Sequence, residues 1–260
     1  MELGLAGKVA LVTGSSRGIG RGIALGLANE GCNIVVTARD ERALQEVAST
    51  IRSKAVEAAV VAIDLCEATA AELLVETVQS KFGRLDILVN NAGATKRGDF
   101  MALTDNDWQE GFALKFFAHV RLARAAWSLL KERRGSLITI AGTSGRKPQA
   151  GFAIGSSVNA ACAAFAKALA DLGKQDGVQV NCIHPSLVDT DRQRRRVRAE
   201  MERTGQSEAA IRQQFCRDMG TTRFGTVEDV ASLICFIVSS NGSWLHGASI
   251  DLDGGEIPVL

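Results

Sequence analysis

The feature that most constrains the fold of this chain is a regular alternation of short apolar segments with longer amphipathic ones. The segments Val9–Thr13, Ile87–Asn90 and Ser136–Ile140 are apolar and rich in β-branched residues, and helix-like segments stand between such runs. Continuous apolar strands separated by helices are typical of a parallel sheet covered on both faces. The sequence therefore predicts an α/β fold, a doubly wound parallel sheet with helices on both faces.

The remaining segments extend this pattern to both ends of the chain. Further strands are predicted at 33–37, 59–63, 179–183 and 248–252, and helices at 21–30 and 41–54. No linker or repeat interrupts the series, so residues 1–260 are predicted to form a single domain. Residues 190–224 are the exception, since they are polar and rich in arginine. This segment is predicted to be either a substrate lid over the cleft or a solvated amphipathic helix pair.

Composition excludes several function classes. The 30 Lys and Arg residues are balanced by 29 Asp and Glu residues, so no basic field favours nucleic acid. The six cysteines are scattered singly, which predicts neither a metal site nor a disulfide framework. The N-terminus lacks the pattern of a secretory signal, and no run approaches the roughly 18 apolar residues of a membrane helix. We expect a cytoplasmic protein with no membrane partner.

A glycine-rich loop lies between the first predicted strand and the first predicted helix. Residues 13–20 read TGSSRGIG, in which glycines allow a tight turn and let the backbone approach a pyrophosphate. The helix N-terminus supplies N–H donors and the positive end of its dipole. This context predicts the dinucleotide site of a Rossmann fold. The residues predicted to contact the cofactor here are Gly14, Ser16, Arg17, Gly18, Ile19 and Gly20.

The end of the second strand bears on which dinucleotide binds. An NAD-binding site usually has an acidic residue there, which holds the ribose 2′-hydroxyl. Here the strand ends at Arg39, and Arg17 lies in the glycine loop, so two guanidinium groups suit a 2′-phosphate. Asp40 follows Arg39 and is the acid that would favour NAD(H). We expect NADP(H) to be preferred over NAD(H).

The chain resembles the short-chain dehydrogenase/reductase family along almost its whole length. The resemblance rests on TGxxxGIG at 13–20, NNAG at 90–93, Pro-Ser at 185–186 where the family has Pro-Gly, and IDLDGG at 250–255. It implies hydride transfer between a nicotinamide and a carbinol or carbonyl carbon. The further cofactor contacts that it implies are Asp64 at the adenine, Leu65, Asn91, Ala92, Gly93 and Pro185, with Val188 and Thr190 at the nicotinamide end.

The resemblance also points to four catalytic positions, and the chain departs from the family at each. In the family a Tyr exchanges the proton, a Lys four residues later lowers its pKa, a Ser thirteen residues earlier orients the substrate, and an Asn on the preceding helix anchors a water. Those positions hold Gly155, Asn159, Gly142 and Lys115, respectively, and the chain contains no tyrosine. We expect that tyrosine-dependent ketone and alcohol redox chemistry does not operate here.

Other side chains offer partial replacements, and none is assigned as catalytic by the sequence. Lys115 is the better candidate acid, because burial lowers the pKa of an amine; the alternative is a lysine that fills the space left by the lost Asn and Lys. His184 has a suitable intrinsic pKa, although a satisfied residue at a strand end is the simpler interpretation. Weaker candidates are the hydroxyls of Thr143, Ser144, Ser156 and Ser157, whereas Lys167 lies two turns further along its helix.

Two glycines at 142 and 155 also leave the predicted cleft wider than in relatives, unless Phe152 or the lid fills it. Arginines between 192 and 203 would favour an anionic small molecule if they fold inward. Three functions stay open: an NADP(H)-dependent oxidoreductase with a non-standard proton donor, a non-catalytic NADP(H)-binding sensor or partner subunit, and a non-redox enzyme on the same fold. The resemblance further implies a homodimer or homotetramer, paired through the alanine-rich helix at 159–170.

Overall fold

The computed structural model describes residues 2–258 and contains a seven-stranded sheet in which all neighbouring strands are parallel. The spatial order of the strands is β3-β2-β1-β4-β5-β6-β7, which confirms the predicted doubly wound fold. Residues 1, 259 and 260, which the single-domain prediction includes, lie outside the described residues. The strands are β1 (Val9–Thr13), β2 (Asn33–Ala38), β3 (Ala58–Ala62), β4 (Ile87–Asn90), β5 (Ser136–Ile140), β6 (Gln179–Pro185) and β7 (Ser249–Leu252).

Helices connect the strands and cover both faces of the sheet. On one face, the helices at 70–82, 118–133 and 153–176 form a buried cluster with strand residues such as Leu11 and Leu88. On the other face, the helices at 18–29, 41–52 and 227–237 form a second cluster with Val12 and Val89. Because alternate residues of a strand point to opposite faces, strands apolar on both faces require both layers. The helices are α1 (Gly18–Asn29), α2 (Glu41–Arg52), α3 (Ala70–Phe82), α4 (Asp105–Phe112), α5 (Ala118–Arg133), α6 (Ala153–Asp176), α7 (Asp191–Thr204), α8 (Glu208–Met219) and α9 (Val227–Ile237).

The helix predicted to open at Asn159 is longer than the sequence motif indicated. Helix α6 begins at Ala153, so Gly155 lies inside its first turns. The segment is rich in alanine and free of proline, and alanine has the highest helix propensity. The helix ends at Gly177, whose φ of 73° is the left-handed conformation that glycine favours. Position 155 is therefore held by regular helical geometry.

The strand order reverses between β1 and β4, which opens a crevice beyond the carboxyl ends of the strands. Residues 190–224 lie beyond the end of β6 and contain helices α7 and α8. These helices enclose a small apolar cluster of their own, formed by Leu187, Val197, Ile211 and Phe224. Asp189 anchors the pair, because Arg194 and Arg212 each donate to its carboxylate at 3.0 Å. The segment is thus fixed beside the crevice.

One segment of the described chain, Ala150–Asp176, is long and apolar enough to cross a membrane by length and composition. About 44% of its most apolar window is buried inside the protein. Core helices meet the same criterion, and α6 contributes Val158, Cys162 and Ala166 to the core.

Candidate functional site

The glycine-rich loop joins the end of β1 to the start of α1 and presents its backbone to the crevice. Gly14 and Gly18 have φ values of 63° and 56°. A Cβ at Gly20 would overlap the carbonyl oxygen of Gly14 and lie 2.5 Å from Nδ2 of Asn91. Glycine is therefore required for this close approach. The loop leaves the first N–H groups of α1 directed outward, as a phosphate-binding turn requires.

The loop is tied to the end of β4 by a buried threonine. Oγ1 of Thr13 accepts from the backbone N–H groups of Asn91 and Ala92, at 2.8 and 2.9 Å. Nδ2 of Asn91 in turn donates to the carbonyl oxygen of Thr13 at 2.8 Å. These bonds hold the predicted cofactor residues of the two strand ends, 14–20 and 91–93, on one wall of the crevice.

The adenosine end of the crevice has an exposed guanidinium that makes one long ion pair. Arg39 is exposed, with Nη1 3.8 Å from Oδ2 of Asp64. Asp40 instead caps α2, since its Oδ1 accepts from the backbone N–H of Ala43 at 3.0 Å. The acid that would favour NAD(H) is thus occupied by its own helix, whereas Arg39 and the exposed Arg17 are available to a 2′-phosphate. Leu65 is buried beside Asp64.

The opposite end of the crevice deepens into a cavity of about 220 Å³. It brings together Ile19 of the glycine loop, Gly93 beyond β4, and Pro185, Val188 and Thr190 beyond β6. Gly18 and Thr190 come close, because a Cβ at Gly18 would lie 3.6 Å from Cγ2 of Thr190. The predicted nicotinamide-end residues therefore share one cavity, and the described residues fit a dinucleotide along the crevice.

Lys115 faces this cavity from a π-helical turn, Ala113–Phe117, which joins α4 to α5. A π-turn inserts one extra residue and redirects the side chains around it. The Lys115 stem covers Gly93, where a Cβ would lie 2.7 Å from Cδ of the lysine, and Nζ donates to the carbonyl oxygen of Ala141 at 3.1 Å. Burial, together with the charge of Arg192, lowers the pKa of Lys115.

Gly142 and Asn159 lie against each other at the floor of the cavity. A Cβ at Gly142 would lie 3.0 Å from Nδ2 of Asn159, so the asparagine occupies the space beside the glycine. Nδ2 donates to Oγ of Ser144 at 2.8 Å, while the buried Oδ1 has no hydrogen-bond partner among residues 2–258. The amide is therefore available to accept one further bond.

Gly155 faces the ring of Phe152 one turn earlier in the chain. A Cβ at 155 would overlap the ring, and both residues are buried. The ring lines the same cavity as Lys115 and Asn159. Three of the four positions that the resemblance singled out, Lys115, Gly142 and Asn159, thus line one cavity, and the Phe152 ring lies in the space next to the fourth, Gly155.

The other candidate acids are committed to structural contacts. Nδ1 of His184 lies 3.2 Å from the carbonyl oxygen of Gly142, which only accepts, so Nδ1 carries the proton; Nε2 then accepts from Oγ of Ser249 at 2.7 Å. His119 is fully buried, with Nε2 2.9 Å from the carbonyl oxygen of Ala92. Lys167 donates to the carbonyl oxygen of Gly247 at 2.7 Å. None of the three lines the cavity among residues 2–258.

Two charged residues of the cavity escaped the sequence analysis. Glu256 is buried and accepts a hydrogen bond from Oγ of Ser186. Glu256 directly follows Gly254 and Gly255 beyond β7. Its position just after the last strand is the sequence signal that could have placed it at this edge of the sheet. Arg97 lies in the loop beyond β4 and reaches the cavity above Phe152. Within residues 2–258 no group of three or more His, Cys, Asp or Glu side chains is arranged to hold a metal.

The parallel sheet, the glycine loop at its switch point and the crevice define a Rossmann-type α/β protein. The family model for short chain dehydrogenases matches residues 8–201. The chain therefore belongs to the short-chain dehydrogenase/reductase family of oxidoreductases.

Relatives of known activity match over nearly the whole chain. This chain is 30% identical to the 3-oxoacyl-(acyl-carrier-protein) reductase of Escherichia coli over 257 residues, which cover 97% of this chain and 98% of that protein. It is 28% identical to an NADPH-dependent reductase of Bacillus subtilis, covering 97% and 99%. The L-sorbose reductase of Gluconobacter frateurii, solved with NADPH and L-sorbose, matches with a TM-score of 0.96 and 34% identity over the full length of both chains. The relatives support NADP(H) as the cofactor; the loss of tyrosine-dependent chemistry stays a prediction.

Proposed function

We propose that this protein is an NADP(H)-dependent oxidoreductase that moves its proton through a group other than tyrosine. The observation that carries the proposal is the position of Lys115, an amine on the wall of the cavity that also holds the nicotinamide-end residues. The reductases among its relatives support redox chemistry in this crevice. The absence of tyrosine from the chain supports a different proton source.

The preference for NADP(H) over NAD(H) rests on the side chains at the adenosine end. Arg39 and Arg17 supply positive charge, and Asp40 is held in the cap of α2. The residues that hold the cofactor are those of the glycine loop and the ends of β4 and β6. When bound, NADPH supplies the hydride and its electron pair to the substrate carbon.

Lys115 then supplies the proton. As a carbonyl is reduced, its oxygen gains the electron pair of the broken π bond, and the Lys115 ammonium donates a proton to that oxygen and is left as a neutral amine. Burial lowers the pKa of Lys115, which makes its ammonium a stronger acid than that of an exposed lysine.

A second function is favoured by a specific observation at Gly155. The Phe152 ring fills the space from which a proton donor on this helix turn would act. A protein that binds NADP(H) without turning it over, as a sensor or as the partner of an active relative, needs only the cofactor crevice. A non-redox reaction has less support, because the relatives are reductases, although the Ser186 hydroxyl does donate to the Glu256 carboxylate within the cavity.

Turnover and binding separate these functions. The purified protein is titrated with NADPH and with NADH by fluorescence, and then screened against carbonyl and imine substrates for NADPH oxidation. Oxidoreductase function predicts turnover that falls about 10²–10⁴-fold in Lys115→Met with little change in NADPH affinity. Lys147→Met, at an exposed residue outside the cavity, is the matched control. Tight binding without turnover across the panel would favour the second function, and failure to bind either nucleotide would exclude both.

We also propose the setting in which the protein works. It acts in the cytoplasm on a small molecule, without nucleic acid or membrane partners, as a homodimer or homotetramer. Ala160, Ala164 and Ala168 recur every four residues along the exposed face of α6, which supports close packing of two such helices. Sedimentation analysis of the wild type and of Ala164→Glu tests this; a monomeric wild type would contradict it.

A further inference from the structure

Three arginines converge on the cavity above Phe152. Arg97 comes from the loop beyond β4, and Arg192 and Arg196 come from consecutive turns of α7. We propose that this arginine triad binds a phosphoryl group of the substrate, so that the protein acts on a small phosphate monoester. This inference rests on the proposed function, because it places the substrate beside the nicotinamide end of the cofactor crevice.

The triad lacks acidic partners among the described residues, unlike Arg194 and Arg203 of α7. Arg194 is paired with Asp189 at 3.0 Å, and Arg203 with Glu200. By contrast, no carboxylate of residues 2–258 lies within 4.0 Å of a triad guanidinium, and the one hydrogen bond that the triad makes among these residues is donated by Arg196 to Oε1 of Gln193. Three unpaired positive charges in one concave surface attract an anion.

Partial burial and neighbouring positive charges weaken the hold of the triad guanidiniums on their protons. Desolvation, followed by the charges of Arg196 and Arg192, lowers the pKa of Arg97 to about 10. Desolvation, followed by the charge of Arg195, lowers the pKa of Arg192, and desolvation, followed by the charge of Arg192, lowers the pKa of Arg196. All three side chains still reach solvent at the mouth of the cavity, so they remain charged at neutral pH and accessible to a ligand.

Phe152 positions two of the three arginines, and the guanidinium of Arg196 lies over the ring of Phe215 instead. The guanidinium carbon of Arg97 lies 3.8 Å from the ring centroid, and that of Arg192 lies 6.0 Å from it. Such stacking fixes the plane of a guanidinium and leaves its N–H groups free for a ligand. Because the ring rests where Gly155 has no side chain, the glycine at the family's tyrosine position permits the platform that holds the arginines.

The number and origin of the donors favour a phosphoryl group over a carboxylate. One bidentate arginine satisfies the two coplanar oxygens of a carboxylate, whereas guanidiniums from two elements can surround the three terminal oxygens of a phosphate monoester. A phosphate dianion also neutralises more of the triad's charge. Glu256 shares the cavity but accepts from Ser186, and could hold a hydroxyl at the other end of the substrate.

Calorimetric titration with inorganic phosphate tests the proposal. The full-length protein is titrated with phosphate, acetate and chloride at constant ionic strength, both alone and saturated with NADPH. We expect phosphate to bind at least tenfold more tightly than acetate, and to bind also when NADPH is present. Arg97→Gln and Arg196→Gln should each weaken phosphate binding roughly tenfold or more. Arg198→Gln, at an exposed residue of α7 outside the cavity, should not.

The remaining outcomes overturn the proposal in distinguishable ways. Phosphate that is displaced by NADPH would assign the triad to the phosphates of the cofactor. If phosphate and acetate bind equally tightly, or if Arg198→Gln weakens phosphate binding as much as the triad variants do, the triad contributes only general positive charge and is not a phosphoryl site. The NADPH titration of the same samples reports on the cofactor crevice separately, so a failed phosphate test with intact NADPH binding leaves the proposed function standing.

Discussion

The ring of Phe152 packs on the backbone of Gly155, so closely that position 155 has no room for even a methyl group. Both residues belong to the start of α6, and the ring is almost fully buried there. The pair closes one side of the cavity and holds Arg97 above it. Absence of a side chain at 155 is thus a packing requirement of this chain.

Gly155→Ala tests that packing. Overfilling a packed site costs about 1–3 kcal/mol, which here outweighs the roughly 1 kcal/mol that alanine gains over glycine in a helix. We expect a lower free energy of unfolding in urea. Adding Phe152→Ala should remove the clash, so the two substitutions should couple favourably in a double-mutant cycle. Gly151→Ala, where a Cβ meets nothing within 4 Å, is the control; equal losses at 151 and 155 would contradict the prediction.

Restoring the family residues should restore the family reaction. Lys115→Asn, Gly142→Ser, Gly155→Tyr and Asn159→Lys, combined with Phe152→Ala, rebuild the four positions and make room for the phenol. We expect ketone reduction with NADPH to appear or to rise, measured as NADPH oxidation. The same set without Gly155→Tyr is the control. If the variant folds and binds NADPH but gains no ketone reduction, the alignment of these positions is wrong.

Arg39→Ser should reduce discrimination between the two dinucleotides. Loss of one charge-assisted contact to a 2′-phosphate costs about 1.5–3 kcal/mol, or roughly 10–100-fold in affinity. In fluorescence titrations, we expect the affinity for NADPH to fall by that factor, while the affinity for NADH stays almost unchanged. Arg42→Ser removes an exposed arginine of α2 that pairs with Glu46 and should change neither affinity. Equal losses for both nucleotides would argue against 2′-phosphate recognition.

Ser144→Ala should destabilise the floor of the cavity. It removes the acceptor for Nδ2 of Asn159 and leaves a buried amide with neither group paired among the described residues. An unsatisfied buried polar group costs about 1–3 kcal/mol. We expect the free energy of unfolding to fall by that amount, which lowers the midpoint of unfolding in urea. Ser157→Ala, at an exposed residue of the same region, should have little effect. An unchanged midpoint in Ser144→Ala would mean that water replaces the serine.

His119 should make stability depend on pH. Burial lowers its pKa to about 3, against about 6.5 in an unfolded chain. Below pH 6.5 the unfolded chain therefore binds a proton that the folded protein does not, and stability falls as the pH drops towards 3, by up to roughly 1.4 kcal/mol per pH unit. Unfolding measured from pH 7.5 to 4.5 should show a shallower decline in His119→Gln. Parallel curves for the two proteins would contradict this assignment.

The strands and the glycine loop were predictable because their information is local. Apolar runs of four or five residues specify buried strands, and glycines at 14, 18 and 20 between a strand and a helix specify a close turn. The start of α6 was missed by six residues, since the motif at Asn159 marks a position within a helix and not its boundary. Lys115 was identified through the family resemblance, but its π-turn has no sequence signature.

The sequence by itself determined the α/β class, the strand series, the cofactor loop and the absence of tyrosine, because each follows from neighbouring residues or from composition. Only the tertiary structure decided what surrounds the cavity. The Arg97 loop, the Phe152 ring, helix α7 and Glu256 are far apart in the chain, and they meet because the carboxyl ends of parallel strands share one edge. Their charges act together only through that proximity in space.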